Sequence, residues 1–133
     1  MANSAADIQK LYIAYFNRPA DPLGLAYWMS STMTLKGIAD SFAVQTEYSS
    51  TYSGKTLAQT INTLYVNMFG HDADISGLIY WAGQINSGKV SLGQAALFIM
   101  NGATGSDAVA ISSKATAAAS FTTNVDTTAE VVA

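Results

Sequence analysis

The feature that most constrains this chain is a segment written twice. Residues 8–28 align without a gap on residues 61–81, at a constant offset of 53. Ten of the 21 aligned positions are identical: Ile8/Ile61, Leu11/Leu64, Tyr12/Tyr65, Phe16/Phe69, Ala20/Ala73, Asp21/Asp74, Gly24/Gly77, Leu25/Leu78, Tyr27/Tyr80 and Trp28/Trp81. Both tryptophans of the chain are in this set. Self-similarity at a fixed spacing is the mark of a repeated structural unit, so the two copies should fold alike.

Inside each copy the apolar spacing is helical. Ile8, Leu11, Tyr12, Tyr15 and Phe16 fall at i, i+3, i+4, i+7 and i+8, as do Leu57, Ile61, Leu64, Tyr65, Met68 and Phe69 in the second copy. Short loops follow, residues 17–20 and 70–73. Asp21 and Asp74 then stand where a carboxylate can cap the first turn of a second helix, with Pro22 at a position that needs no N–H. Leu25, Trp28 and Met29, or Leu78, Trp81, Ala82 and Ile85, form the buried stripe of that helix. Gly24 and Gly77 are odd there, because glycine within a helix costs about 1 kcal/mol against alanine. Their recurrence predicts a backbone or an aromatic ring lying against them. A third helix closes each unit, marked by Leu35, Ile38, Phe42 and Ala43, and by Leu92, Ala95, Ala96, Ile99 and Met100.

The reading is an all-α domain of two repeated three-helix units packed as one bundle, with an additional C-terminal helix. Repeat one spans about 5–50 and repeat two about 57–105, joined by a polar connector at residues 49–54. A small-residue helix runs from Asp107, read as its cap, to about Thr122, within a C-terminal helical segment of about 107–133. Residues 127–133 read as the first turns of a helix, which predicts a continuation beyond the sequence. The length of 133 residues suits one such domain.

Charge and composition exclude several functions. Six basic residues against nine acidic give a net charge of −3, and Lys10, Arg18, Lys36, Lys55, Lys89 and Lys114 are scattered singly. Neither nucleic-acid binding nor a polybasic membrane anchor fits that pattern. Charged residues make up 11% of the chain, against roughly 25% in ordinary soluble domains. A surface this neutral suits dense packing against neighbours or sugars. No cysteine is present, so disulfides and thiolate metal sites are out. The N-terminus has no basic and apolar regions of a Sec signal, and the longest apolar run, near Leu97 to Met100, is too short to span a bilayer.

Catalysis finds no support. The single histidine, His71, has Arg18 as its counterpart in the first copy and reads as an exposed loop residue. Glu47 and Glu130 are the only glutamates, no carboxylate pair is placed for glycoside chemistry, and no glycine-rich phosphate loop or zinc-binding histidine pair occurs. The chain is expected not to be an enzyme. No cofactor or metal is expected either; the one calcium candidate is Asp72 with Asp74, which with Ser76 and Gly77 match the opening of an EF-hand loop but lack its closing glutamate. Aromatic faces also bind sugars. Tyr12, Tyr65, Trp28 and Trp81 belong to the inward stripes and read as core. Tyr27 and Tyr80 sit about 100° round the helix from that stripe, free to meet a neighbour or a ligand. Tyr48 and Tyr52, beside the connector, are expected to be exposed. With Asn17, Arg18, Asp21 and His71 these residues make the candidate glycan-contacting set. The clearest differences between the copies are Arg18-Pro19 against His71-Asp72 and the polar connector after Glu47, and function is expected there.

The string Leu11-Tyr12-x-x-Tyr15-Phe16-x-Arg18-Pro19-x-Asp21-x-x-Gly24-Leu25-x-Tyr27-Trp28 resembles the signature of a bacterial surface-protein domain described as phycobilisome-linker-like and formally of unknown function. The resemblance covers about residues 5–105, and the second copy departs from it at His71-Asp72. It implies helical repeats near one end of large secreted proteins: S-layer, haemolysin-type calcium-repeat and adhesin proteins. Many of these leave the cell by type I secretion, without an N-terminal signal. By this resemblance the chain is expected to be a non-catalytic anchoring domain of a surface-layer protein, extracellular and at the cell surface, whose partner is the sugar chain of lipopolysaccharide or another surface polysaccharide. The alternative is a self-assembling or linker-like protein–protein module, docking copies of itself without binding glycan.

Overall fold

The computed structural model describes residues 3–124, and the expectation for residues 127–133 lies outside them. Among the described residues there are eight helices and no strand. Helices α1 (Ala5–Phe16), α2 (Pro22–Met29), α3 (Leu35–Phe42) and α4 (Thr46–Tyr52) belong to the first repeat. Helices α5 (Leu57–Phe69), α6 (Ile75–Asn86) and α7 (Leu92–Asn101) belong to the second, and α8 (Gly105–Asn124) closes the bundle. The all-helical reading and its repeated three-helix units hold.

Local chemistry starts and stops these helices where the copies correspond. Ser4, Asp21 and Thr34 each accept from a backbone N–H in the first turn of α1, α2 and α3. Thr56 with Gln59, and Ser91 with Gln94, form reciprocal capping boxes on α5 and α7. α1 and α5 both end on a left-handed residue, Asn17 at φ 53° and its counterpart Gly70 at φ 80°. Asn17, a candidate glycan residue, thus serves as the C-terminal cap of α1.

The repeats meet through equivalent helices: α1 packs on α5 and α3 on α7, while α8 lies across α1 and α5. Ile8, Leu11, Ile61, Leu64 and Met68 fill the α1–α5 seam, and none is exposed. Asn67 Nδ2 donates to the carbonyl of Ala14, its own counterpart in the first copy, across 2.9 Å. At the other contact Gly93 of α7 lies directly on the α3 backbone, where an added Cβ would stand 2.6 Å from the Asp40 nitrogen.

Four expectations need correction. The connector at residues 49–54 is largely helix, because α4 runs through Tyr52. Tyr48 and Tyr52 fall at i, i+4, stack with ring centroids 4.6 Å apart, and turn inward. Tyr48 is therefore half-buried. Tyr52 is 5% exposed, and its hydroxyl donates to the Tyr15 carbonyl. Asp107 does not cap α8; it is the third residue of that helix, and its carboxylate binds His71. Finally α6 buries no residue fully, so Trp81 and Tyr65 are half-buried where Trp28 and Tyr12 are core.

Candidate functional site

Each repeat carries a cleft between the end of its first helix, its second helix, its third helix and whatever follows the third. In the first repeat Tyr12, Phe16, Trp28 and Phe42 form the walls, with Gln45, Thr46, Glu47 and Arg18 at the mouth. In the second the walls are Tyr65, Phe69, Trp81, Phe98 and Ile99, with Gly102, Ala103, Thr104 and Asp107 at the mouth. Tyr12/Tyr65, Phe16/Phe69 and Trp28/Trp81 are repeat-equivalent pairs. Leu35 and Leu92 open the third helices, an offset of 57, which makes Phe42 the counterpart of Ile99. The helix after the third is α4 in one repeat and α8 in the other. The cavities measure about 200 and about 270 Å³. Both fall below the 300–1,000 Å³ typical of drug-sized ligand pockets, so each has room for a single ring or head group.

The cleft of the first repeat explains its glycine, while at Gly77 the tight neighbour of an added Cβ is Asp74 Oδ1, at 2.8 Å. A Cβ on Gly24 would collide with the Tyr12 hydroxyl, and one on Gly77 would lie 3.4 Å from the Tyr65 hydroxyl. The aromatic residue expected against each glycine is thus the tyrosine at the same place in both copies. Burial pushes both phenol pKa values up, against hydrogen bonds from Trp28 and Trp81 that pull them down.

The mouth of the first cleft is narrowed by its own arginine. The Arg18 guanidinium lies 5.0 Å over the Tyr12 ring and 5.9 Å from the Phe16 ring. It is held there by two bonds to Glu47, at 2.7 and 2.9 Å. These bonds raise its pKa further, so the charge is permanent. Phe42, 1% exposed, packs 5.0 Å from Tyr12, 5.7 Å from Phe16 and 5.3 Å from Trp28.

The second cleft lacks both groups. His71 replaces Arg18, and its ring stacks only against Phe69, at 6.1 Å. Its Nε2 bonds to Asp107 Oδ1 at 2.7 Å and its Nδ1 to the Asp72 carbonyl at 2.8 Å. Both partners are acceptors, which favours the doubly protonated ring; the Asp72 carbonyl first, and Asp107 second, raise its pKa. With both nitrogens engaged, the ring is not poised as a general base. The small Ile99 stands in for Phe42. The aromatic stands one position earlier, at Phe98, about 100° round the helix, where it is 56% exposed and stacks on Trp81 at 6.0 Å.

The remaining candidate residues are dispersed. Tyr27 and Tyr80 are exposed and pack edge-on against Trp28 and Trp81 with the same geometry, 4.8 Å and 82°. Asp21 caps α2 through the Gly24 N–H. Asp74 occupies the corresponding cap position of α6, but accepts from the Ser76 hydroxyl rather than from a backbone N–H. Asp72 accepts from Asn62 Nδ2 at 2.9 Å. Among the described residues no three His, Cys, Asp or Glu side chains gather as a metal site, and Asp72 and Asp74 are engaged as above. Asn17, Asp21, Tyr48 and Tyr52 thus do not form one surface, whereas Arg18 and His71 mark the mouths of the two clefts. Phe98, Asp107 and Glu47 are site residues that spacing alone did not single out. The missed signal was the second offset of 57, which pairs Phe42 with Ile99.

A family model described as Domain of unknown function (DUF4214) matches residues 39–103. That stretch starts inside α3 and ends just after α7, so it contains every wall residue of the second cleft. No curated protein and no solved structure matches the chain. No helix among the described residues is long and apolar enough to cross a membrane.

Proposed function

We propose that this chain is a non-catalytic anchoring module of a secreted surface-layer protein, and that it grips the sugar chain of outer-membrane lipopolysaccharide. One observation carries the reading: the cleft of the second repeat has neither the Arg18 guanidinium nor the Phe42 ring of the first, and exposes a Trp81–Phe98 stack in their place. A half-exposed Trp81–Phe98 stack beside a hydrogen-bonding rim is the arrangement that holds a pyranose, whose C–H face lies on the rings while its hydroxyls find polar partners. The low charge of the chain and the resemblance of its repeated string to bacterial surface-protein domains support the same reading. By that resemblance the protein would be extracellular, exported by a route such as type I secretion.

Co-sedimentation with purified smooth lipopolysaccharide, with and without calcium, tests it. The wild type should pellet with the polysaccharide. Phe98→Ala, which removes an exposed ring and leaves the core intact, should reduce binding about tenfold, in keeping with the worth of one stacking contact. Failure of the wild type to bind in either condition would sink the glycan reading.

A second reading rests on a separate observation. Leu23 and Tyr27 on α2, and Ile75, Ile79 and Tyr80 on α6, are large apolar residues between 55 and 75% exposed. Such faces mark contact surfaces between proteins, and would serve self-assembly into a layer. Light scattering on the concentrated protein separates the two: a strict monomer argues against assembly through these faces.

A further inference from the structure

We infer that the cleft of the second repeat is a binding site for a small organic cation, an ammonium or guanidinium group, which there takes the place that Arg18 fills in the first repeat. The inference rests on the reading of that cleft as a ligand site and names the chemistry of the group it accepts.

The first repeat shows what this architecture holds. Its walls are a tyrosine, two phenylalanines and a tryptophan, and the group over its mouth is a guanidinium 5.0 Å from the Tyr12 ring with Glu47 as counter-ion. Cations sit on aromatic faces because the ring quadrupole is negative there, and the attraction grows once water is excluded. The second repeat keeps a tyrosine, two phenylalanines and a tryptophan, and keeps a carboxylate, Asp107, donated by the helix that follows the third. The internal cation is what it loses. His71 is too short to cross the cleft: it stays at the mouth against Phe69 and no cationic group lies over Tyr65 among the described residues. The resulting space, about 270 Å³, admits one head group.

Charge favours the same occupant. His71 holds Oδ1 of Asp107, and no described residue bonds its Oδ2. Asp107 lines the cleft, and no lysine or arginine does. An anionic group would meet repulsion. The occupant is the amine of an amino sugar in a polysaccharide, the partner class of the proposed function; an arginine side chain of a protein is the other outcome that the experiment distinguishes.

The two indole N–H signals of the protein labelled with 15N-tryptophan report the two clefts separately. Glucosamine, argininamide and the uncharged N-acetylglucosamine are titrated in turn, each against matched sodium chloride. The Trp81 signal is expected to move with a cation while Trp28 stays, and N-acetylglucosamine is expected to bind at least about tenfold more weakly, the worth of one desolvated cation–ring contact. A response to glucosamine identifies the sugar source, and one to argininamide alone the protein source. His71→Arg, at an exposed position, should supply the internal guanidinium and abolish the Trp81 response. Arg18→Ala should open the first cleft and make Trp28 respond.

Equal binding of glucosamine and N-acetylglucosamine would overturn the cation inference and leave glycan binding standing. A cation response in a protein that does not pellet with lipopolysaccharide would do the reverse. No Trp81 response to either cation, or an undiminished response in His71→Arg, would also overturn it.

Discussion

Tyr15 lies at the centre of the aromatic cluster of the first repeat, fully buried, between Phe42 at 5.7 Å and Tyr48 at 6.0 Å. Its hydroxyl has no hydrogen-bond partner among the described residues, and its counterpart in the second copy is the apolar Met68. Burial pushes its pKa well above the ordinary phenol value. A buried polar group without a partner costs about 1–3 kcal/mol. Tyr15→Phe keeps the ring and removes that penalty, so it should stabilise the protein by about 1 kcal/mol, a rise in Tm of about 3–6 °C for a domain of this size. A lower Tm in calorimetry would show that the hydroxyl is satisfied. His71 is shifted in the same direction for a different reason: its charged form is held by acceptors rather than penalised by burial. Its folded pKa is raised above 6.5 by the Asp72 carbonyl and by Asp107. A raised value means that the folded state binds the proton more tightly. The stabilisation is thus complete below about pH 6.5 and is lost as pH rises through the folded value. An NMR titration of the ring should give a midpoint above 6.5. Asp107→Asn should lower it only part of the way, because the Asp72 carbonyl, the larger cause, remains. An unchanged midpoint in that variant would mean that the His71–Asp107 contact is not made in solution.

At the level of the element, α7 lies directly on the backbone of α3. Gly93 permits it: a Cβ there would lie 2.6 Å from the Asp40 nitrogen and 2.8 Å from the Ala39 carbonyl carbon. Both are backbone atoms that no rotamer change can move. Gly93→Ala must push the helices apart, and overpacking of this kind costs about 1–3 kcal/mol; urea unfolding should show it as a lower midpoint with an unchanged slope. A neutral result would mean that α3 and α7 are not seated this closely. The sequence could not announce this glycine, because its counterpart is Lys36 and a helical glycine without a partner in the repeat reads as incidental. Where both copies agree, the reading succeeded for a physical reason. Ile8, Leu11 and Tyr12, and Ile61, Leu64 and Tyr65, repeat at helical period because both helices face the same core. It failed at α4, where Ser49, Ser50 and Thr51 look like a linker. The two residues that seat the helix are tyrosines one turn apart, an apolar stripe only two residues long. It failed again at α6, since the identity Trp28/Trp81 says nothing of what packs on each ring. That is decided by Phe42 against Ile99 and by Phe98, which lie outside the repeated string.

On the scale of the whole molecule, the two repeats are arranged like the halves of a symmetric dimer, equivalent helix on equivalent helix, and α8 breaks the symmetry. Its apolar stripe, Ile111, Ala115 and Ala118, is buried together with Thr122. The break is written in one pair of side chains. Gln9 and its counterpart Asn62 do the same first task, accepting the N–H of Ala20 at 3.0 Å and of Ala73 at 2.8 Å. Their amide donors differ. Asn62 turns to Asp72 in its own loop, at the surface. Pro19 stands where Asp72 would be, and Gln9, 0% exposed, donates instead to Thr122 Oγ1 at 2.8 Å, 113 residues away. The Thr122 hydroxyl in turn lies 2.6 Å from the Ala20 carbonyl. The end of α8 is thus fastened to the first repeat by a polar network from which water is excluded. Such a network is worth little net when complete and costs heavily when halved. Thr122→Val conserves shape and strands the Gln9 amide, so it should destabilise by about 1–3 kcal/mol and speed hydrogen exchange in the last turns of α8 before that in α5. Gln9→Leu should cost a similar amount, by stranding the Ala20 N–H. Because the two variants break one shared bond, the double variant should cost less than their sum, by about 1 kcal/mol. Strict additivity would mean that α8 is held by its apolar stripe alone, and the asymmetry between Pro19 and Asp72 would then have no part in fixing where the last helix docks.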